Sequence, residues 1–419
     1  MTDTSRSSAS LLAKALLVII FVGYIFKYFE LLYYINNTIY IGDTLPEWQF
    51  INYIALKDSF SISIAALVLI TPILTYFIFS ENRYMPPPGY RLGGIFPLLL
   101  FLGLGFLAAL RIQLGATMGE ASSNLPWYIG TLVYRSQGDL MPGLLIFLIH
   151  GYRINNQRTL MYISIAALFI LQALIGVASG SKSGVIFFGF VMICYWELVA
   201  DRRYLRPRII VPLVLAAMVA FIAGSQVRSL ALLGTSSQYV VDFLDGRLLS
   251  MTVDVFTAIV NRFPGQEALA LACNNGCSAA TLSGVLPIDR MLSGEIALYY
   301  TRDVVGVTSD YDFRSPGFLG GSVMALGIYG GVLTSIAAIA IALFAMRAMD
   351  RAGLSVAARV VAAFGFFRFF MEGAWYWADL ASVAYGVIGT ELAVRFAVSS
   401  TRRSQMSGLD SGPGSAQHI

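Results

Sequence analysis

The sequence predicts an all-α polytopic membrane protein with about ten transmembrane helices. Of its 419 residues, 57% are hydrophobic and only 12% are charged, and the mean hydropathy is +0.71. A soluble domain carries about 25% charged residues, so this chain has too much apolar surface for one water-soluble core. Apolar runs of about 20 residues, the length that crosses a bilayer, recur along the chain.

Ten apolar segments define the predicted helices. The first is too long for the apolar part of a signal peptide and no small-residue cleavage site follows it, so we expect it to be retained. The fourth follows a stretch broken by Gly and Pro, WYIGTLVYRSQGDLMPG, which is typical of a half-helix or re-entrant piece. The predicted segments are residues 11–34, 60–79, 92–110, 140–152, 160–178, 184–200, 209–224, 318–346, 357–371 and 379–398.

The distribution of lysine and arginine predicts the orientation of these helices. Arginines concentrate in alternate short turns, which the positive-inside rule assigns to the cytoplasm, and Arg6 and Lys14 belong to the same side. Both termini are therefore predicted to be cytoplasmic, while Lys182 stands in an outer turn against the rule. The predicted organisation is seven helices in residues 1–224, a large extracytoplasmic loop in 225–317, three helices in 318–399 and a disordered cytoplasmic tail in 400–419.

The large loop has apolar patterning of its own. Three stretches, GRLLSMTVDVFTAIVNRFPG, GQEALALACNNG and SGEIALYYTRDV, are typical of short amphipathic helices, which we expect to lie on the membrane surface or to cover the mouth of the bundle. Cys273 and Cys277 flank NNG in this loop. An oxidising compartment favours a disulfide, whereas a spacing of four within a helix favours two free thiols, and both alternatives stay open.

Cations near the outer face are the groups that remain for chemistry. The only histidines, His150 and His418, fall on the cytoplasmic side, so the sequence offers no outer Ser–His pair, and it has no HExxH or phosphate-binding GxxxxGK[ST] motif. The turn SGSKSG supplies Lys182, two hydroxyls and the amides that start the next helix, which suits an anion such as a lipid phosphate. The alternative is a lysine that only snorkels to the interface.

The arginines of the large loop are balanced by acids. Six arginines and nine acids occur in residues 225–317, so local salt bridges explain most of these arginines. Arg228, in GSQVRSL, has no acid close in sequence and is the strongest candidate for a ligand-binding cation. Arg368, inside a predicted span, either pairs with Glu372 at i+4 or has a functional role.

A glycine-rich stretch includes the start of the eighth predicted helix. RSPGFLGGSVMALGIYGGVL carries six glycines, and their spacing favours close packing between helices. We expect this stretch to enter the eighth span.

The order of these motifs resembles that of the Wzy-type oligosaccharide repeat-unit polymerases, which include O-antigen polymerases. The resemblance lies between about residues 179 and 370, in the GSKSG turn, a span ending in SQVRS, the loop segments NRFPGQEAL and LPIDR, SPGFLGGSVMALGIYGGVL, and a late span with an arginine. The chain departs from the family pattern at Lys182, where arginine is commoner, and in GGSVMALG, where a glutamate and a tyrosine often occur.

The resemblance implies a GT-C-like glycosyltransferase that joins undecaprenyl-diphosphate-linked oligosaccharides on the periplasmic face of the bacterial inner membrane. Donor and acceptor are both lipid-linked, no metal, nucleotide cofactor or nucleic acid is implied, and a chain-length-regulating co-polymerase is a further expected partner.

The residues available for this chemistry fall into three groups. The cations that would bind the diphosphate are Lys182, Arg228, Arg247, Arg262, Arg290 and Arg314. Either the diphosphate itself or a carboxylate would take the proton of the acceptor hydroxyl, and the candidate carboxylates are Asp289, Glu295 and Asp312. Aromatic rings that would either stack on sugars or anchor the chain at the membrane interface are Trp127, Tyr299 and Tyr300.

Two other functions stay open at the level of sequence. A ligase that moves finished glycan to another acceptor, such as the lipid A core, would share the architecture, but we expect an outer histidine as its base and the loop has none. A transporter or lipid flippase would show paired broken helices in repeated halves, and only one predicted helix is interrupted.

Overall fold

A computed structural model describes the helical framework of the protein. The described residues are 7–37, 51–80, 96–113, 140–178, 183–199, 207–233, 236–247, 249, 252, 265–274, 276–278, 296, 299–300, 303, 316–372 and 377–409. All regular secondary structure within these ranges is helical, which confirms the predicted all-α class.

The helices follow one another in a simple order along the chain. Helix α1 consists of Ser8–Ile20, a π-helical turn Phe21–Phe26 and Lys27–Asn37. The others are α2 (Tyr53–Phe79), α3 (Phe96–Gln113), α4 (Met141–Ile154), α5 (Arg158–Ala178), α6 (Ser183–Leu198), α7 (Pro207–Leu233), α8 (Gln238–Leu244), α9 (Gln266–Asn274), α10 (Phe318–Arg351), α11 (Val356–Glu372) and α12 (Trp377–Leu409).

Each of the ten predicted segments corresponds to a helix, namely α1 to α7 and α10 to α12. Helix α2 begins before the predicted residue 60 because Asn52 caps it, with its side-chain oxygen 2.7 Å from the backbone nitrogen of Ala55. Helix α7 continues past Gly224 and includes Arg228. Helix α12 continues to Leu409, so the first part of the predicted tail is helical.

Four helices in the described part of the chain are long and apolar enough to cross a membrane: Ser8–Tyr33, Tyr53–Phe79, Phe318–Arg351 and Leu380–Val398. Shorter apolar helices occur at Met141–Ile154, Arg158–Ile170, Phe188–Leu198 and Met218–Val227. This set of apolar helices is compatible with a multi-pass membrane protein.

Helix α10 is folded back on itself, which corrects the prediction of one straight span from residue 318. Gly327 has φ 71° and ψ −179° inside the helix. The Oγ atoms of Ser322 and Ser335 are 3.1 Å apart, whereas an unbroken helix would separate these residues by about 20 Å. We call residues 318–326 the short arm and residues 328–351 the long arm. The long arm alone still exceeds the roughly 20 residues that a span needs.

The glycines of this stretch allow the two arms to touch. A Cβ atom on Gly331 would lie 2.6 Å from the backbone of Val323, and one on Gly320 would lie 3.1 Å from the Cβ atom of Ala268 in α9. The predicted close packing at these glycines is confirmed.

Helix α9 is buried on every side, which corrects the prediction that this stretch lies on the membrane surface or over the bundle. All residues from Gln266 to Cys273 are buried, and α9 packs against α1, α2 and α10. The amphipathic pattern suggested a surface position, but the polar side chains of α9 bind other polar groups inside the bundle. Most of the other two predicted loop helices, in 246–265 and 293–304, lies outside the described ranges, as does the interrupted stretch before α4.

Helix α11 forms the centre of the bundle and packs against α1, α4, α6, α10 and α12. One end of the bundle is closed by a buried ion pair between Arg359 Nη1 and Asp350 Oδ1, 3.1 Å apart. Asp350 also accepts hydrogen bonds from the hydroxyl of Ser7 and the backbone nitrogen of Ser8, both at 2.9 Å. These contacts join the start of α1 to the end of α10, and we call them the Asp350 cluster.

Candidate functional site

Two short buried helices begin at the same tyrosine. The backbone N–H of Leu319, in the first turn of the short arm, donates a 3.0 Å hydrogen bond to the hydroxyl of Tyr24. A Cβ atom on Gly265, directly before α9, would lie 2.8 Å from the Tyr24 ring. The N-termini of the short arm and of α9 therefore meet at Tyr24, and we call this place the half-helix junction.

The junction lies far from the Asp350 cluster along the bundle. At about 1.5 Å per residue, Tyr24 is about 24 Å from Ser8 along α1, and a bilayer core is about 30 Å thick. In the predicted orientation, the junction would therefore stand in the outer part of the membrane.

A fully buried lysine borders the junction. Lys27 Nζ lies 2.9 Å from Glu267 Oε1 in α9 and 3.1 Å from Glu30 Oε2 in α1. The Lys27 side chain has 0% of its surface exposed and that of Glu267 has 5%. Burying charged groups is costly unless they are paired, so this pair provides a strong restraint between α1 and α9.

Neutral hydrogen bonds tie the same end of α9 to α2. Gln266 Nε2 donates to the Ser59 hydroxyl at 2.8 Å, and the Ser63 hydroxyl donates to Gln266 Oε1 at 2.8 Å. The backbone N–H of Asn52 donates to Asn274 Oδ1 at 3.3 Å, at the other end of α9. Helix α9 thus runs antiparallel to the first turns of α2.

A disulfide closes the C-terminal end of α9. Cys273 and Cys277 are bonded, so of the two alternatives that the sequence left open, the structure has the bridge. Cys277 has φ 53° and Gly276 has φ 75°, which means that the chain leaves the helix through a tight turn instead of continuing it. The spacing of four residues does not rule out the bridge, because Cys277 is outside the helix.

Most of the predicted site residues lie outside the part of the chain that the structure describes. These are the cations Lys182, Arg262, Arg290 and Arg314, the carboxylates Asp289, Glu295 and Asp312, and Trp127. Arg228 is within α7, but its side chain is not among those described. The side chain of Glu372, at the end of α11, is likewise not among those described. Arg368 is half-buried.

Arg247 is the one predicted cation whose side-chain contacts are visible. Its Nη2 atom lies 2.9 Å from Asp242 Oδ1 and 2.8 Å from Asp245 Oδ2. For this arginine, the arrangement matches the expectation of pairing with nearby acids. Of the predicted stacking residues, Tyr300 is buried and Tyr299 is half-buried.

The junction and its lysine were not predicted as a site. One sequence signal points to the junction: the pattern Arg-x-Pro-Gly occurs twice, as RFPG at 262–265 and RSPG at 314–317. Each copy ends directly before a buried short helix, α9 or the short arm. The contact between Lys27 and α9 has no comparable signal, because Glu267 is more than 200 residues away from Lys27 in the chain.

The junction combines features that suit an anionic ligand near an interface. Two helix N-termini point towards one place, and such ends carry partial positive charge. Two arginines precede these ends in sequence, and the surroundings are largely buried. Within the described ranges, no group of three His, Cys, Asp or Glu side chains is arranged to hold a metal ion.

No family model, curated protein or solved structure matches this chain.

Proposed function

We propose that this protein is an integral membrane glycosyltransferase that polymerises undecaprenyl-diphosphate-linked oligosaccharide repeat units, such as those of O-antigen, on the outer face of the bacterial inner membrane. The observation that supports this best is the half-helix junction, where two buried helices, each introduced by Arg-x-Pro-Gly, begin at Tyr24. The GT-C-like fold and the cytoplasmic placement of both termini belong to the same proposal.

The chain limits how far the two arginines can be from the junction. Arg262 precedes Gly265 by three residues, and Arg314 precedes Gly317 by three. Three extended residues span at most about 10 Å, and an arginine side chain bridges much of that distance. Arginine binds phosphate in a bidentate manner, so two arginines that each precede a junction helix by a few residues in sequence match the two phosphates of a lipid diphosphate.

The proposed reaction is a displacement at the anomeric carbon of the donor glycan. The acceptor hydroxyl oxygen forms the new glycosidic bond as the bond to the carrier diphosphate breaks, and the electron pair stays on the diphosphate. The hydroxyl proton goes to Asp289, Glu295 or Asp312, or to the departing diphosphate. Fixed cations stabilise the charge that develops; they are Lys182, Arg228, Arg262, Arg290 and Arg314. Arg247 is not one of these cations, because it already pairs with Asp242 and Asp245.

The test of this function is the surface-glycan ladder of a strain that lacks the gene. A polymerase predicts that single repeat units reach the final acceptor while the ladder of longer chains disappears. Long glycan stranded on the lipid carrier would instead identify a ligase.

Transport is a second candidate, which the structure favours more than the sequence did. Transporters often bind substrates at discontinuous helices whose N-termini face an anionic group, and the described chain has two short buried helices whose N-termini meet, α9 and the short arm. If the protein is a transporter, repeat units should accumulate on the cytoplasmic side in the strain that lacks the gene. If it is a polymerase, they should not accumulate there.

The turn before α6 provides a residue-level test. Lys182→Ala removes a cation proposed to bind the diphosphate, and losing one such group costs about 10²- to 10³-fold in rate. We expect the variant to insert at normal levels but to leave the ladder unrestored in the deletion strain. The control is Lys57→Ala, which changes an exposed lysine in the first turns of α2 and should restore the ladder. A normal ladder with Lys182→Ala would mean that Lys182 only snorkels.

A further inference from the structure

Helix α9 cannot hold its position by its own stability. It has nine residues, and isolated helices shorter than about 12 residues are marginal even in favourable sequences. Its place in the bundle therefore depends on contacts with α1, α2 and α10. Among its residues, Glu267 is the only charged one.

The partners of Lys27 differ in what they connect. Glu30 lies on the same helix as the lysine, three residues further on, so this pair stays within α1. Glu267 lies on α9, so the 2.9 Å contact with Lys27 joins two elements. Both carboxylates have the same chemistry, yet only one of them can restrain α9.

Glu30 also determines what happens when the contact with α9 is lost. If Glu267 becomes neutral, Lys27 keeps its ion pair with Glu30, so neither of these two charges is left alone. Breaking a buried pair is severe when it strands a charge, and here it does not. The restraint on α9 can therefore be removed without stranding a buried cation.

We infer that the Lys27–Glu267 ion pair is a positioning contact that holds the N-terminal end of α9 at the half-helix junction. Glu267 is in the first turn of α9, two residues after Gly265, which lies against the Tyr24 ring. A shift of this turn moves the start of α9 relative to Tyr24. The effect on transfer rests on the proposed function, whereas the restraint on α9 does not.

The experiment compares Glu267→Gln with Glu30→Gln. The two variants make the same substitution and the same charge change next to the same lysine, and they differ in whether the Lys27–Glu267 contact with α9 is kept. The position of α9 is read from a Ser63→Cys probe in a Cys194→Ala background, because the Ser63 hydroxyl is buried against Gln266. A membrane-impermeant maleimide labels this probe when α9 leaves its place, and the surface-glycan ladder is measured in parallel without the probe.

We expect Glu267→Gln to raise the labelling rate about tenfold, the change in population expected when a charge-assisted contact is lost. It should also reduce ladder formation by about a hundredfold, since a displacement of about 1 Å at a reacting group costs that much. Glu30→Gln should leave both measurements at the level of the unchanged protein.

The inference would be overturned if the two glutamine variants gave the same labelling rate and the same ladder. Lys27 would then need a carboxylate beside it, but not one on α9. Unchanged labelling with Glu267→Gln would overturn it as well. The exchange Lys27→Glu with Glu267→Lys provides a rescue: it restores an ion pair between α1 and α9, so the probe should regain its protection. If the unchanged protein forms no ladder, the proposed function fails, and the labelling result alone still decides the positioning role.

Discussion

At the residue scale, Tyr24 caps the N-terminus of a helix whose own N-cap residue offers no side chain. The first backbone N–H groups of a helix have no partner within it, and Gly317, at the N-cap of the short arm, has no side chain to offer. The hydroxyl of Tyr24, from α1, accepts the hydrogen bond of Leu319 instead. Tyr24 is only 1% exposed, so water does not replace this contact.

Tyr24→Phe tests this role. The substitution leaves the Leu319 N–H buried without its acceptor, which should cost about 1–3 kcal/mol of unfolding free energy. Denaturation of the purified protein in detergent would measure it. The control is Tyr28→Phe on the same helix, since the stacking of Tyr28 on Phe60, with ring centroids 3.7 Å apart, does not need the hydroxyl. Equal losses in the two variants would contradict the capping role.

At the scale of elements, Gly327 determines the shape of α10. Its combination of φ 71° and ψ −179° belongs to a region that is essentially restricted to glycine. The reversal at this residue turns one apolar stretch into a short arm at the junction and a long arm that reaches the Asp350 cluster. The short arm owes its place beside Tyr24 to this reversal.

Gly327→Ala should destabilise the protein by about 1–3 kcal/mol, because alanine is strained in that conformation. The matched substitution is Gly105→Ala in α3, where a Cβ atom would meet nothing within 4 Å and alanine improves helix stability by about 0.5–1 kcal/mol. Thermal unfolding of both variants in the same detergent gives the comparison. A Gly327→Ala variant as stable as Gly105→Ala would mean that the chain does not reverse there.

At the scale of the whole molecule, the two ends of the bundle differ in chemistry. One end has the Asp350 cluster with Arg359 and, nearby, Arg351, and positive-inside logic assigns such arginines to the cytoplasm. The other end has the disulfide of α9, which is typical of an oxidising compartment. Both features therefore favour the same orientation, with the half-helix junction towards the outside.

Single-cysteine labelling checks this orientation. Lys57→Cys and Arg351→Cys, each in a Cys194→Ala background, place one thiol at an exposed position near each end. In intact spheroplasts, a membrane-impermeant maleimide should label the Lys57→Cys variant and leave the Arg351→Cys variant unlabelled. Inverted vesicles should give the opposite pattern. Labelling of the Arg351→Cys variant in spheroplasts would reverse the assignment and place the junction at the cytoplasmic side.

The helical elements themselves were predictable from local information. A helix in a membrane forms its backbone hydrogen bonds within its own segment, so apolar length and breaks in composition indicate where it lies. This is why all ten predicted segments correspond to helices. The errors occur at polar ends, as in α2, where Asn52 begins the helix before its apolar run.

The arrangement at the junction depends on contacts between residues far apart in the chain. Glycine spacing indicated close packing around residues 317–331 but not the direction in which Gly327 turns the chain. The pattern of α9 indicated a helix but not its burial, because the partners of Gln266 and Glu267 are in α2 and α1. Local composition thus specified the class and the helices, since backbone hydrogen bonds are made locally. Long-range ion pairs and hydrogen bonds determined which of those helices meet, because only the folded chain brings such partners together.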